Sequence, residues 1–247
     1  MSGPKLRTVT GVKEPYPLGS FPDKFVHSVA GQISAAIAVG RTDIEGKDWE
    51  KIFAEAIGAE WQPSVVGLDD ILMPNISAAW GAKTVKNPKP FKAKKIRLIS
   101  GRNSPTYSYD VSDIRARPPE ELGALVTEIW NERVAALYKK YKTLRTVILL
   151  KGPALKEISI FEIPTVRYNP EEYEWKWNKN KNLVACDKHG ANRFTWQPHG
   201  SQFTIHEDVP DYALNLEIDT PENISEKILE TIGFDESCYR IIPKETN

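Results

Sequence analysis

Between Asp23 and about Val39 the apolar residues Phe25, Val26, Val29, Ala30, Ile33, Ala36 and Ile37 recur at the spacing of one helical face. Asp23 reads as the N-cap and Gly40 as the stop. A second helix is expected from about Asp48 to Ile57, with Trp49, Ile52, Phe53, Ala56 and Ile57 on one side and Gly58 closing it. The pattern then changes period. Strands are expected at 70–73, 78–86 and 95–100, joined by turns rich in Pro and Lys. Pro118-Pro119-Glu120-Glu121 opens a long helix to about Tyr141, because Pro and acids suit a first helical turn. Thr146 to Leu150 is a continuous apolar run of the kind a buried strand needs. Beyond it come short strands at 156–163, 172–178, 192–197 and 201–206, a helix at Ile224–Ile232 and a strand near Tyr239–Ile242.

Residues 23–151 thus read helix–helix–strand–strand–strand–helix–strand, an order that builds a mixed sheet flanked by helices. The expected class is α/β, in a single domain of three parts. An N-terminal arm (1–22) precedes a core (23–151) and a β-rich C-terminal region (152–247).

Composition narrows this only modestly. The 247 residues carry 27% charged and 40% hydrophobic side chains, an ordinary globular mixture. No apolar run reaches the roughly 18–20 residues needed to span a bilayer, so no membrane partner is expected. The first residues lack a secretory signal pattern, and Cys186 and Cys238 have no metal-like spacing, which together suggest the reducing cytoplasm. The formal net charge is +0, which argues against a sequence-blind nucleic-acid coat.

The distribution of charge says more than its sum. From Ile71 to Tyr109 there is no Asp or Glu, yet the stretch holds Lys83, Lys86, Lys89, Lys92, Lys94, Lys95, Arg97 and Arg102. Acids in 110–132 and 207–236 offset it. Asp70 stands at the border of this basic tract, at the start of one strand, and Lys83 lies on the hairpin partner. An acid and a lysine brought to one place on a sheet suit metal-dependent phosphodiester hydrolysis. The carboxylate holds a divalent cation and the ammonium supports the attacking water.

The element order and the Asp70…Lys83 pair resemble the PD-(D/E)XK nuclease superfamily, particularly type II restriction endonucleases. That family places an Asp on one strand and an acid-X-Lys on the next; here the second half is Trp80-Gly81-Ala82-Lys83-Thr84-Val85-Lys86. The resemblance covers about residues 23–151, and the run Phe194–Phe203 is also similar to segments of restriction enzymes. The chain departs from the pattern at Gly81, where the family has its second acid. Glu50, at the rim of the second helix's apolar face, is the expected replacement, with Asp69 as the other option. The resemblance implies Mg²⁺ held by Asp70, the Ala82 carbonyl and Glu50, with Lys83 positioning water. It further implies cleavage of double-stranded DNA to a 5′-phosphate and a 3′-hydroxyl, in a prokaryotic cytoplasm, by a homodimer matched to palindromic sites.

Phosphate contacts are expected from the basic tract, with Lys86, Lys89, Lys92 and Lys94, and further DNA contacts from Arg102 and Asn103, which with Tyr107 are the alternative place for base recognition. Base contacts are expected from Arg193, Gln197, His199 and Gln202, whose side chains suit major-groove edges. Three other readings stand beside this one. His189, Asn192 and His199 invite an HNH-type nuclease, the missing acid at Gly81 a non-catalytic DNA-binding module, and the basic tract a protein that binds a phosphorylated metabolite. Against the last, the chain has no Gly-rich phosphate loop and no dinucleotide fingerprint.

Overall fold

The computed structural model describes residues 14–63, 67–110, 113–219 and 224–233. Its helices are α1 (Phe25–Ala38), α2 (Gly46–Ile57), α3 (Pro105–Tyr109), α4 (Pro119–Tyr138) and α5 (Ser225–Thr231). The strands are β1 (Glu60–Trp61), β2 (Ile71–Met73), β3 (Ala78–Lys86), β4 (Lys95–Arg102), β5 (Thr143–Lys151) and β6 (Glu157–Pro164). They continue with β7 (Glu174–Trp177), β8 (Leu183–Cys186), β9 (Asn192–Gln197), β10 (Gln202–Asp208) and β11 (Leu214–Glu217). The strand expected near Tyr239–Ile242, Cys238 and most of the N-terminal arm lie outside the described residues.

The strands form a six-stranded sheet, β1-β2-β3-β5-β6-β11, and a five-stranded sheet, β4-β10-β9-β8-β7. In the first, β3 and β5 run parallel and their other neighbours antiparallel, so it is a mixed sheet as expected. Its two faces are both covered. Trp80, Ala82, Val147 and Leu149 pack with Phe25, Ile33, Trp49 and Phe53 of α1 and α2. On the opposite face Ala79 and Leu144 meet α4 and the second sheet, and Ile148 and Leu150 meet Ile96 and Leu98 of β4. That explains why β5 is apolar on both sides.

Three local expectations need correction. Asp23 does not cap α1. The cap is Lys24, with no side-chain hydrogen bond, and the Phe25 N–H donates to the Pro22 carbonyl at 2.8 Å instead. α2 begins at Gly46, because Glu45 and Asp48 close a reciprocal capping box ahead of it. β4 leaves the first sheet altogether and pairs with β10, while β6 and β11 join the first sheet, so the sheets do not divide at residue 151. The reason is in its pattern: Ile96 and Leu98 are buried, whereas Lys95, Arg97 and Ile99 are exposed. A strand with one wet face belongs on an outer layer.

One buried polar network ties β3, β5, β6 and the N-terminal segment together. Glu162 on β6 is fully buried and accepts from Trp80 Nε1 at 2.6 Å, Tyr16 Oη at 2.7 Å and Arg145 Nη1 at 3.2 Å. Arg145, itself buried, donates a further bond to the Tyr16 carbonyl at 2.8 Å. Removing one partner of such a pair strands the other charge in the core. Arg145→Met is therefore expected to cost about 3–5 kcal/mol, read as a lowered midpoint in urea unfolding with an unchanged slope.

Candidate active site

β2 pairs with β3 only as far as Trp80, which stands opposite Ile71. The β2 side of β3 is therefore open from Gly81 onward, although its other side stays paired to β5. An open edge leaves peptide groups in need of partners. Asp70, the residue before β2, supplies one: its Oδ2 accepts the Ala82 N–H at 3.1 Å. Because the N–H and C=O of one strand residue point to the same side, the Ala82 carbonyl faces Asp70 as well.

A second segment closes over the neighbouring positions. Lys83 Nζ donates to the Gly67 carbonyl at 2.8 Å. A Cβ at Gly81 would lie 2.9 Å from both the Gly67 oxygen and the Leu68 Cα. Backbone thus occupies the space where the family's second acid would project. Gly67 has a φ of +66°, and a Cβ there would come within 3.1 Å of the Lys83 ammonium. The two glycines are a matched pair at a close crossing of chains.

Glu50 reaches this edge from α2. Trp61 Nε1 donates to its Oε2 at 2.9 Å, which holds the carboxylate between the helix and the end of β1. Electrostatics couples the group. Burial pushes the Asp70 carboxyl up to about 6; the Ala82 N–H and Lys83 pull it down, while Glu50 and Asp69 push it up further. Burial also lowers the Lys83 ammonium, against the opposing charges of Asp70 and Glu50. The charges of Asp70, Lys83 and Glu50 therefore act on one another. Asp69 is buried too, and its charge acts on Tyr141. No group of three or more His, Cys, Asp or Glu side chains suited to a metal occurs among the described residues. Two carboxylates and a carbonyl are nevertheless a hard-oxygen donor set of the kind Mg²⁺ accepts, since that ion keeps several of its waters.

The remaining expected residues divide. Lys89, Lys92 and Lys94 are exposed in and beside the turn before β4. Lys86 is exposed but bound to Asp43 at 2.9 Å. At the far end of β4, Arg102 pairs in register with Gln202, which pairs with Gln197, and His199 is exposed in the turn between them. These four gather at one tip of the second sheet. That tip follows Ser100, which lines a small cavity of about 20 Å³ with Lys83, Thr146 and Glu207. Two expected DNA contacts do not suit that role. Asn103 is buried, and its carbonyl accepts from Trp196 Nε1 at 3.0 Å. Arg193 is engaged by Glu207 and Asp208 at 3.3 and 3.1 Å. The HNH grouping does not assemble either, because His189 and His199 lie beyond opposite ends of β9.

Sequence reasoning missed the Gly67 carbonyl and Trp61. Gly81 carried the signal for the first, since a glycine inside a strand marks close approach of another backbone. No family model matches the chain, and neither the curated proteins nor the solved structures searched provide a match.

Two outcomes follow from this geometry. Gly81→Asp should force Gly67–Leu68 aside and cost about 1–3 kcal/mol, read in chemical denaturation. Asp70→Asn should stabilise the protein in metal-free buffer. The raised carboxyl, about 6 against an ordinary 3.8, favours the folded state below pH 3.8, and that advantage is lost as pH rises through 6. The amide keeps an acceptor for Ala82. At pH 7 the variant should gain about 1–2 kcal/mol, and the difference should vanish at about pH 3.5 in paired melting curves.

Proposed function

We propose that this α/β protein is a Mg²⁺-dependent nuclease of the PD-(D/E)XK type that cleaves double-stranded DNA at specific sites. The observation that carries the reading is that Asp70 binds the Ala82 N–H on β3 while the charges of Lys83 and Glu50 both act on its carboxyl. Glu50 comes from α2, a different layer of the fold than the strand position at which the family's motif has its acid, and its charge acts on both Asp70 and Lys83. Asp70, Glu50 and the Ala82 carbonyl would hold Mg²⁺, which supplies Lewis-acid polarisation of the scissile phosphate and of its bound water. Lys83 orients the attacking water from the neighbouring position, and its lowered basicity makes it a fit partner for hydroxide. In-line attack would leave a 5′-phosphate and a 3′-hydroxyl.

The rest of the surface fits a duplex substrate. Lys89, Lys92 and Lys94 offer exposed positive charge for phosphates. The tip formed by Arg102, Gln197, His199 and Gln202 offers polar groups for base edges. A homodimer would match a palindromic target. No helix among the described residues is long and apolar enough to cross a membrane.

Plasmid cleavage tests the reading. Discrete products with Mg²⁺ are expected from the native protein. Asp70→Ala and Lys83→Ala should each lower the rate by at least about 100-fold while gel-shift affinity for DNA is kept. Glu50→Gln should raise the Mg²⁺ concentration needed for half-maximal rate. DNA retardation without cutting by the native protein would favour the non-catalytic module instead.

A further inference from the structure

β3 and β5 are the parallel pair of the first sheet, and in open α/β sheets ligands bind in the crevice beyond the carboxyl ends of such strands. At that end Lys86 and Lys151 stand in register on adjacent strands. A cleft of about 440 Å³ opens there, walled by Thr42 and Asp43 on one side and Gly152–Ala154 on the other. It is separate from the site around Asp70.

The charges in this cleft do not balance. Lys151 is buried, with 5% of its side chain exposed, and its ammonium bonds Asp43 Oδ1 at 2.5 Å and the Ile44 carbonyl. Lys86 bonds the other oxygen of the same carboxylate at 2.9 Å and is otherwise exposed. Two ammonium groups thus share one carboxylate, which leaves a net positive charge at the cleft. An ammonium has three donors, so each lysine has capacity beyond these bonds. Burying a lysine beside open space is costly where an apolar residue would pack better. The wall is strained as well: Ala154 and Leu155 both have positive φ, at 51° and 60°, with no glycine to relieve it. Strain of this kind is kept where a backbone shape is needed.

We infer that this cleft binds a phosphate group, held between the Lys86 and Lys151 ammoniums with Asp43 setting their positions. The inference stands without the nuclease reading. The group can arrive on a free phosphorylated small molecule or as a backbone phosphate of a nucleic-acid strand. The chemistry at the lysines is the same for both.

Titration calorimetry of the full chain with inorganic phosphate, against sodium chloride of equal ionic strength, is the direct test. Saturable binding is expected. Lys86→Gln, a surface change that leaves the buried pair intact, should weaken it by about tenfold or more. Asp43→Asn should tighten it, because phosphate then supplies the anion that Lys151 has lost, and phosphate should raise that variant's melting temperature more than the native protein's. No saturable heat, or equal affinity in Lys86→Gln, overturns the inference. Competition separates the sources: displacement of phosphate by a 5′-mononucleotide assigns a free ligand, and displacement by a short duplex alone assigns a strand phosphate. Neither readout depends on DNA cleavage, so failure here leaves the Asp70 assignment standing, and the reverse.

Discussion

The arrangement at Asp70 follows from a shortage of strand partners on β3. This strand lies inside the first sheet, parallel to β5 along its whole length, yet β2 covers its other side only to Trp80. Peptide groups beyond that point cannot be left dry and unpaired. A third full strand would have satisfied them and closed the site. Instead the Asp70 carboxylate serves the Ala82 N–H, while the Gly67 carbonyl of the same segment takes the Lys83 ammonium. An acid and a lysine are thus brought to one stretch of β3 by an interrupted ladder.

The same crossing decides what can stand at position 81. With the backbone of Gly67 and Leu68 lying over Gly81, no side chain fits at that position. The other carboxylate whose charge acts on Asp70 and Lys83 is Glu50 of α2, steadied by Trp61. The arrangement works against the folded state: burial and neighbouring negative charge hold the Asp70 carboxyl above its ordinary range. Groups so perturbed concentrate where proteins do chemistry.

Much of this is legible in the amino-acid sequence. α1, α2, α4 and β5 are long or strongly patterned, and their apolar periodicity can be read directly; Trp49, Phe53 and Trp80 fall in the core as their positions require. The side chains of Asp70, Lys83 and Glu50 are singled out by type and spacing, and the fold lets their charges act on one another. What escapes is non-local. The alternation in β4 is visible, but its partnership with β10 joins residues about a hundred positions apart. Two-residue β1 and the short β8 and β11 are held by their neighbours rather than by their own pattern. Arg193 is suited by type to a guanine edge, and only the folded sheet shows Glu207 and Asp208 beside it. Asn103 lies in a polar loop, and its burial depends on Trp196, far along the chain.

The Glu162 network has a bearing on how the molecule is made. Tyr16 leaves the ribosome well ahead of the carboxylate on β6 that receives its hydroxyl, and ahead of Arg145 on β5, which grips its carbonyl. Tyr16 cannot complete these bonds until some 146 further residues have emerged. Until then Trp80 lacks the acceptor for its indole N–H. Through that interval the early helices and β3 must persist without their central polar clasp. The segment around Tyr16 is thus fastened by side chains on strands translated long after it.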